Sequence, residues 1–371
     1  MRVIISGGGT GGHIFPAIAI ANTIKQHNNE SEILFVGAEG RMEMQKVPQS
    51  GYRIIGLKIA GFNRKNILKN VSLPFKLLAC SLKCKRIIKE FKPDIVIGVG
   101  GYASFSVVNM AQKMKIPTLL QEQNSLAGKS NQLLGKKAKK ICVAYDNMDR
   151  YFSKDKIVLT GNPIRQNILE MDGCKYSNLG FVANKTVLVT GGSLGAGTIN
   201  WSIEKILEYF IDNNIRLIWQ TGSYYYKDIV TRLQYFFFSN QKAKELIEIK
   251  EFISDMAQAY SLSDVIIARA GALSISELCV VGKPTILIPS PNVAEDHQTK
   301  NARTLADKNA TLMIKDEDLS NDVNILSASI SKLLKDSFLQ QTLSNNIRQM
   351  AILDATERIY VTIMDILDNK N

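Results

Sequence analysis

Residues 3–22 read VIISGGGTGGHIFPAIAIAN, which is a short apolar run, a glycine-rich loop and then apolar residues at helical spacing. Residues 187–206, VLVTGGSLGAGTINWSIEKI, repeat this pattern with three glycines at the same spacing. A buried strand that leads through glycines into a helix is typical of the first turn of a nucleotide-binding βα unit. The repeat therefore predicts two similar α/β domains.

The rest of the chain alternates short apolar runs with helical patterns, which indicates parallel βα units. The apolar runs are rich in β-branched residues and leucine, as in strands that are covered on both faces. We predict strands at residues 3–6, 33–36, 95–99, 118–121, 140–143, 156–159, 187–190, 217–220, 246–250, 265–268, 285–288 and 311–314. The expected domains are residues 1–163 and 164–371, with the last helix packing back on the first domain and the ligand in the cleft between the domains.

The chain has 371 residues and a formal net charge of +12, which suits an anionic partner such as nucleic acid, a phosphorylated substrate or an acidic membrane face. Its five cysteines form no CxxC pair, which indicates a reducing compartment and no structural zinc. Cys80 and Cys84 are expected to share a buried helix face. Residues 95–112 carry no charge, but their glycines and polar residues favour strand, loop and helix over a membrane span. With no signal peptide visible, we expect a cytoplasmic protein.

The first glycine loop, residues 7–12, can bring backbone amides close to an anion at the positive end of a helix. Its spacing also fits a dinucleotide fingerprint, but Glu39 is the nearest candidate for the acidic residue that a nicotinamide or flavin site needs. His13 follows the loop at the helix N-terminus, where the helix dipole favours the neutral form that a general base requires. A histidine that only caps or packs the helix is the alternative.

The second glycine loop, residues 191–195, raises a different alternative because it matches the G-x-S-x-G elbow of α/β-hydrolases. Ser193 would then be the nucleophile, and the later His297 beside Asp296 would complete a triad. This hydrolase interpretation leaves the first glycine loop unexplained.

Two further segments each allow two interpretations. Ser274 and Glu277 have the spacing of a capping box, although Glu277 could instead accept hydrogen bonds from ribose hydroxyls. Residues 316–318, Asp-Glu-Asp, resemble a metal-binding D-x-D, but we interpret them as a solvated helix start.

Residues 64–92 form a basic, partly amphipathic stretch. Leucine, isoleucine and phenylalanine alternate there with cations, which suits the surface of an anionic bilayer. A core helix with a basic outer face is the alternative, and nucleic acid is disfavoured because no aromatic platform or known binding motif accompanies the charge. The cations expected to dock on the membrane are Lys76, Lys83, Lys85, Arg86 and Lys89.

Seven motifs together resemble the MurG family of peptidoglycan glycosyltransferases, and they span almost the whole chain in the family's order. They are GGGTGGHIFP at 7–16, GVGGY at 98–102, QEQN at 121–124, GNPIR at 161–165, GGSLGA at 191–196, GALSISE at 271–277 and DHQ at 296–298. The resemblance implies the GT-B fold, in which two Rossmann-like domains with parallel sheets face each other across a deep cleft.

The resemblance also implies an activity. Members of the family move N-acetylglucosamine from UDP-N-acetylglucosamine to the 4-hydroxyl of lipid I, an undecaprenyl-diphosphate muramoyl-peptide, with inversion, to give lipid II. It implies no metal or other cofactor, His13 as the catalytic base, and a peripheral location on the cytoplasmic side of the bacterial inner membrane. Cell-wall synthesis and division proteins are further expected partners. A related transferase with another lipid acceptor is an alternative.

By the same resemblance, the family's donor contacts correspond to positions from all parts of the chain. They are Thr10, Gly11, Gly12, Asn124, Arg165, Ser193, Ile253, Ala272, Leu273, Ser274, Ile275, Ser276, Glu277 and Gln298. Ile253 rests on a loose pattern only. Many family members have histidine where Gln121 stands, so that histidine has no counterpart here and His13 becomes more important as the base.

Overall fold

The computed structural model describes residues 1–59, 73–171, 185–293 and 296–369, without the side chains of residues 73–77 and 102. Contacts within the chain divide it into two compact units. The first unit comprises Met1–Arg165 together with Asp354–Asn371, and the second comprises Gln166–Leu353.

Within the described residues, each unit contains one parallel β-sheet. The strands of the first unit are β1 (Arg2–Gly7), β2 (Glu32–Ala38), β3 (Arg53–Leu57), β4 (Ile95–Gly100), β5 (Thr118–Glu122), β6 (Lys140–Val143) and β7 (Ile157–Leu159). Those of the second unit are β8 (Lys185–Thr190), β9 (Ile215–Gln220), β10 (Ile247–Lys250), β11 (Val265–Ala268), β12 (Thr285–Leu287) and β13 (Leu312–Met313).

Most of the helices lie between successive strands, as the alternating pattern predicts, whereas those after residue 315 follow the last strand. In the first unit they are α1 (Gly11–His27), α2 (Glu43–Gln49), α3 (Leu73–Phe91), α4 (Tyr102–Lys113) and α5 (Lys129–Gly135). The second unit contributes α6 (Gln166–Leu169), α7 (Gly197–Lys205), α8 (Leu207–Asp212), α9 (Tyr226–Ser239), α10 (Gln241–Leu246), α11 (Met256–Leu262), α12 (Ala272–Val281), α13 (His297–Ala306), α14 (Asp316–Asn321), α15 (Asn324–Lys335) and α16 (Ser337–Arg348). The last helix, α17 (Ala355–Asp368), belongs to the first unit.

The burial of strand β1 explains why residues 3–5 at its centre are all apolar. Val3 and Ile5 are fully buried in a cluster with α1 and α17, whereas Ile4 points to the other face and is buried with residues of α3 and α4. A parallel strand that is covered on both faces has no solvent-facing positions, so it lacks the polar alternation of a half-exposed strand. The confirmed core position of Cys80 and Cys84 on α3 belongs to the same packing.

Strand order places the two glycine loops at equivalent points. The first sheet runs β3-β2-β1-β4-β5-β6-β7 and the second β10-β9-β8-β11-β12-β13, so the order reverses between β1 and β4 and between β8 and β11. In such sheets, ligands bind outside the carboxyl ends of the strands at this switch point. The loops that follow β1 and β8 are the two glycine loops.

Helix α17 is attached to α1, the helix that follows the first glycine loop. The His27 imidazole at the end of α1 lies 2.7 Å from a carboxylate oxygen of Glu357 and stacks on the Tyr360 ring at a centroid distance of 4.0 Å. Ile359 and Ile363 are fully buried in the cluster on this side of the sheet. The chain therefore returns to its first unit after completing the second.

All twelve predicted strands are present, and residues 95–112 form a strand and a helix as expected. Strand β3 was not predicted, because this edge strand is only half-buried at its start and its apolar run is short. Among the described residues, no helix has the length and apolar composition needed to cross a bilayer.

Candidate functional site

The first glycine loop is built around the His13 side chain. Its Nδ1 lies 3.1 Å from the carbonyl oxygen of Gly8. A carbonyl can only accept, so in the neutral ring Nδ1 carries the hydrogen and Nε2 keeps its lone pair. This tautomer leaves Nε2 as the nitrogen that can take a proton from a substrate.

Two glycines at the end of β4, Gly100 and Gly101, make room for this arrangement. A Cβ on Gly100 would lie 2.8 Å from His13 Nε2, and a Cβ on Gly101 would lie 2.5 Å from the Gly8 carbonyl oxygen. Both glycines also have positive φ, at +103° and +88°. The GVGGY motif therefore keeps side chains away from the imidazole and from the carbonyl that orients it.

Burial lowers the pKa of His13 below its ordinary value of 6.5, because the charged imidazolium loses solvation. The carboxylates of Glu122 and Glu43 and the hydrogen bond to Gly8 oppose this shift but do not cancel it. His13 is therefore neutral at pH 7, as a general base must be.

The QEQN motif, residues 121–124, forms a hydrogen-bond network at the end of β5. Gln121 donates to Asn162 at 3.1 Å, and Gln123 donates to the carbonyl of Val99 at 2.7 Å and also to Gln121. All of these side chains are buried. Gln121 therefore joins β5 to the segment that follows β7, and Gln123 joins the end of β5 to β4.

Glu122 is also buried, and its carboxylate organises the following loop. It accepts hydrogen bonds from the backbone and side chain of Asn124, from the Gly128 N–H and from the Asn131 side chain, at 2.9–3.3 Å. Asn124, a predicted contact of the sugar-nucleotide donor, is thus held by the Glu122 carboxylate. The charge of the same carboxylate favours the protonated form of His13.

The remaining predicted site residues of the first unit lie near the start of α1. Thr10 is exposed, and its carbonyl accepts the N–H groups of His13 and Ile14 at 3.1 and 3.2 Å. Its side chain does not cap the helix. The Arg165 guanidinium lies 4.8 Å above the Phe15 ring of α1. Gly11 and Gly12 form the first helical positions, so their amides are at the positive end of the helix dipole.

In the second unit, the loop of residues 191–195 rests on the backbone that follows β9. Gly195 has φ +89°, and a Cβ there would lie 2.0 Å from the Thr221 carbonyl oxygen. The carbonyl of Ser193 accepts the Ser223 N–H at 3.1 Å. These contacts fix the loop's backbone and leave the Ser193 side chain partly exposed.

This loop does not have the shape of a hydrolase elbow. Residues 191–196 separate the end of β8 from the start of α7, whereas an elbow places its serine in a sharp turn directly between strand and helix. Ser193 is also not among the described residues with positive φ. We therefore set the hydrolase interpretation of Ser193 aside.

Gln220 connects this loop to the predicted contact Ile253. Its side-chain amide donates to Thr190 Oγ1 at 3.0 Å and to the Gly192 carbonyl at 3.1 Å, and its oxygen accepts the Ile253 N–H at 2.8 Å. Since that N–H is used internally, a ligand contact from Ile253 would have to come from its carbonyl or side chain.

The capping-box interpretation of Ser274 and Glu277 is wrong. Helix α12 begins at Ala272 with Gly271 as its N-cap, and no side chain caps it. Ser274 therefore lies inside the first turn. Glu277 is buried and accepts a hydrogen bond from the Tyr260 hydroxyl at 3.3 Å.

The predicted run from residue 272 to 277 thus presents its first-turn amides at a helix N-terminus, without a side-chain cap. Gln298, in the first turn of α13, accepts the Ser290 N–H at 2.9 Å. Residues 193, 253, 272–277 and 298 all follow carboxyl ends of the second sheet, just as residues 10–13, 124 and 165 follow those of the first.

The prediction that residues 316–318 are a solvated helix start is wrong for Asp316. Its carboxylate is 13% exposed, pairs with Arg269 and accepts a hydrogen bond from Thr198 at 2.7 Å. It therefore joins α14 to α7 and to the end of β11. In the part of the chain that the structure describes, no group of three or more His, Cys, Asp or Glu residues is placed to hold a metal ion.

The basic residues of α3 differ in the contacts that their charged groups make. Lys83 donates to the Gly56 carbonyl at 2.7 Å and pairs with Glu39, so its ammonium is held against the sheet. Arg86 pairs with Glu90 on the helix surface. Lys85 and Lys89 are exposed, and the side chain of Lys76 lies outside the described residues.

Sequence reasoning missed two buried carboxylates, Glu43 and Glu122. Glu122 lies inside the QEQN motif, so the motif could have marked it as a candidate site residue. Glu43 follows β2 in a segment without any motif, and only the fold shows that it reaches the first glycine loop.

Comparison with known proteins agrees with this architecture. The chain matches the glycosyltransferase family 28 N-terminal domain over residues 3–143 and the C-terminal domain of that family over residues 186–359. It is 51% identical to the UDP-N-acetylglucosamine–N-acetylmuramyl-(pentapeptide) pyrophosphoryl-undecaprenol N-acetylglucosamine transferase of Cytophaga hutchinsonii, over 99% of this chain and 97% of that protein. A protein of the same name from Parabacteroides distasonis is 50% identical, over 100% and 99%.

Among solved structures, Acinetobacter baumannii MurG is similar with a TM-score of 0.72 and 29% identity, over 98% of this chain and 99% of that one. The resemblance to MurG that the ordered motifs indicated is thereby confirmed. This chain belongs to glycosyltransferase family 28 and has the GT-B fold.

Proposed function

We propose that this chain transfers N-acetylglucosamine from UDP-N-acetylglucosamine to the 4-hydroxyl of lipid I, giving lipid II and UDP. The observation that carries the proposal is the 51% identity, over nearly the full length of both proteins, to a relative named for this reaction. The ordered motifs support the same conclusion, because they lie at the carboxyl ends of both sheets, where α/β proteins bind their ligands.

His13 is the proposed general base. Its Nε2 takes the proton of the acceptor hydroxyl while the hydroxyl oxygen bonds to the anomeric carbon of the donor sugar. The bond from that carbon to the β-phosphate oxygen breaks, and its electron pair leaves with UDP. Attack opposite the leaving group inverts the anomeric configuration. Nδ1 stays bonded to Gly8, so the imidazolium that forms remains oriented.

The departing UDP needs stabilisation of its growing negative charge. In the second unit, the N-terminus of α12 offers first-turn amides without a side-chain cap, together with the positive end of a ten-residue helix. We assign the UDP phosphates to these amides and to Ser193, and the ribose hydroxyls to the buried Glu277 carboxylate. Preorganised donors of this kind act most strongly on charge that develops in the transition state.

The family resemblance counts Gly11 and Gly12 among the donor contacts, but we assign the amides of the first glycine loop and of the α1 N-terminus to the acceptor's diphosphate. The Gly9 N–H is excluded from this role, because it donates to Glu43. The amides of Gly11 and Gly12 at the start of α1 are better placed to bind an anion.

The proposed acceptor is a membrane lipid, and α3 offers a surface for docking to the cytoplasmic face of the inner membrane. Leu78 and Leu82 are 60% and 58% exposed, and Lys85 and Lys89 continue the same line at spacings of three and four residues. Leucines that enter the interface beside lysines that meet anionic headgroups form a typical peripheral anchor.

A thermal-shift comparison of UDP-N-acetylglucosamine, UDP-glucose and NAD tests the donor assignment. A ligand present at a hundredfold excess over its Kd stabilises the folded state by about 2.7 kcal/mol. We expect UDP-N-acetylglucosamine to raise the melting temperature more than UDP-glucose at equal concentration, and NAD to leave it unchanged. Stabilisation by NAD alone would contradict the proposal.

A further inference from the structure

Glu43 is an almost fully buried carboxylate, at 1% exposure, that has no part in the mechanism described above. It is the first residue of α2, and its side chain reaches under the first glycine loop. Each of its oxygens accepts a backbone N–H, one from the first glycine loop and one from the end of β2. Oε2 accepts the Gly9 N–H at 3.0 Å, and Oε1 accepts the Ala38 N–H at 2.9 Å.

Two glycines form the slot that holds this carboxylate. A Cβ on Gly8 would lie 2.1 Å from Oε1 of Glu43, and a Cβ on Gly37 would lie 2.6 Å from its Cγ. Neither position has a positive φ that would itself require glycine. The absence of a side chain at Gly8 and Gly37 is therefore explained by the room that Glu43 needs.

The peptide unit between Gly8 and Gly9 is bonded at both ends. Its N–H donates to Glu43, and its C=O accepts from Nδ1 of His13 at 3.1 Å. In a trans peptide these two groups point in opposite directions. Fixing the N–H on one side therefore aims the carbonyl at the imidazole on the other, and hydrogen bonds in such a chain polarise one another.

We propose that Glu43 is a positioning residue that acts on His13 through the Gly8–Gly9 peptide, fixing the imidazole in the Nδ1–H tautomer with Nε2 available as the base. This inference rests on the proposed role of His13 as the base. The arrangement resembles a carboxylate–histidine pair with one peptide unit inserted between its members. The peptide keeps the carboxylate out of the anion-binding part of the loop while passing on its orienting effect.

The electrostatics of the surroundings support this role. Glu43 and Glu122 approach His13 from α2 and β5, and both favour the imidazolium that forms when the base takes a proton. Arg165, the cation near α1, lies over the Phe15 ring. Removing the charge of Glu43 should therefore lower the pKa of His13 further.

The test compares Glu43→Gln with the wild-type protein and with Glu32→Gln as a matched control. Glu32 is exposed at the opposite end of β2 and pairs only at the surface with Arg2. A glutamine at position 43 offers one oxygen to two amides. We expect kcat to fall by about 10–100-fold, as when the partner that orients a functional side chain is lost, with the KM for UDP-N-acetylglucosamine unchanged.

The acid limb of the pH–rate profile separates positioning from mere structural support. In Glu43→Gln it should move to lower pH, because the His13 pKa falls, whereas in Glu32→Gln it should stay in place. A Glu43→Gln protein with wild-type kcat and an unmoved acid limb would overturn the inference.

A second readout does not depend on activity. The chain has three histidines, so the ¹⁵N signals of the His13 ring can be assigned by their loss in His13→Gln. Wild-type protein should show the Nδ1–H tautomer, and Glu43→Gln should show a mixture and a lower titration midpoint. An Nε2–H tautomer in the wild type would refute the inference even if Glu43→Gln does not fold. A failed donor assignment would appear instead in the thermal-shift comparison, and it would leave these spectra unchanged.

Discussion

At the residue scale, His13 combines a fixed tautomer with a lowered pKa. Its hydrogen bond to Gly8 leaves Nε2 unprotonated, and burial keeps the ring neutral at pH values where an exposed histidine would already be half charged. Both properties suit a general base. The position of His13 after a glycine loop was visible in the sequence, but the carboxylates that flank the ring come from distant segments.

The pH dependence of kcat/KM tests the state of this ring in the free enzyme. The proposed base must be neutral to accept a proton, so activity should fall as the pH decreases through the His13 pKa, with the midpoint below 6.5. His13→Ala should lower kcat by about 10²–10⁴-fold and remove this limb, while UDP-N-acetylglucosamine still stabilises the protein. Unchanged turnover in His13→Ala would reject its assignment as the base.

Two glycines of the second loop make a matched pair for measuring how this loop is held. Both have positive φ, but a Cβ on Gly192 would meet open space, whereas one on Gly195 would collide with the Thr221 carbonyl. Gly192→Ala should lower the free energy of unfolding by about 1–2 kcal/mol through backbone strain. Gly195→Ala should lower the free energy of unfolding by the same amount and by a further loss of about 1–3 kcal/mol, because the added methyl group overpacks the loop.

Urea unfolding of both variants checks this comparison. Equal losses for the two variants would show that the contact with Thr221 does not hold the loop in solution.

At the element scale, the sequence predicts a strand or helix best where neighbouring elements cover it. The strands predicted at residues 3–6 and 187–190 are buried on both faces, so their composition alone identifies them. Strand β3 at the sheet edge gave no such signal. Helix α12 begins three residues earlier than a capping serine at position 274 would require, because Gly271 supplies the N-cap conformation instead.

The charge of an acidic residue in a sequence does not reveal whether solvent or another side chain will surround it. Asp316 stands in a run of polar residues, yet its side chain is only 13% exposed and pairs with Arg269. The partner comes from 47 positions earlier in the chain, so only the fold could bring the two together.

Helix α3 provides a prediction about membrane binding. Replacing Lys85 and Lys89 with glutamine should weaken binding to vesicles that contain anionic lipid by about 2 kcal/mol, at about 1 kcal/mol for each cation near the surface. Replacing Leu78 and Leu82 with glutamine should weaken it further. Lys83→Gln is the control, because the Lys83 ammonium is already bonded to Gly56 and Glu39.

Vesicle sedimentation at low and physiological salt measures this binding. If Lys83→Gln weakened it as much as the change at Lys85 and Lys89, the docking surface would have to be placed elsewhere on the protein.

At the scale of the whole molecule, two units repeat one plan. Each sheet has a glycine loop after the strand next to its switch point, and the repeat in the sequence predicted this correspondence. The return of α17 to the first unit is held by contacts such as that of His27 with Glu357, which no local pattern indicates. Motif order identified the family, whereas the contacts that orient each motif became visible only in the fold.

The most direct test of the proposed activity is a transfer assay with purified protein, lipid I and UDP-N-acetylglucosamine labelled in the sugar. We predict that the label moves into the lipid product as a β-1,4-linked N-acetylglucosamine, with one UDP released for each sugar transferred. UDP-glucose should support little or no transfer. Release of UDP without labelled lipid, or no reaction by folded protein that binds the donor, would contradict the account.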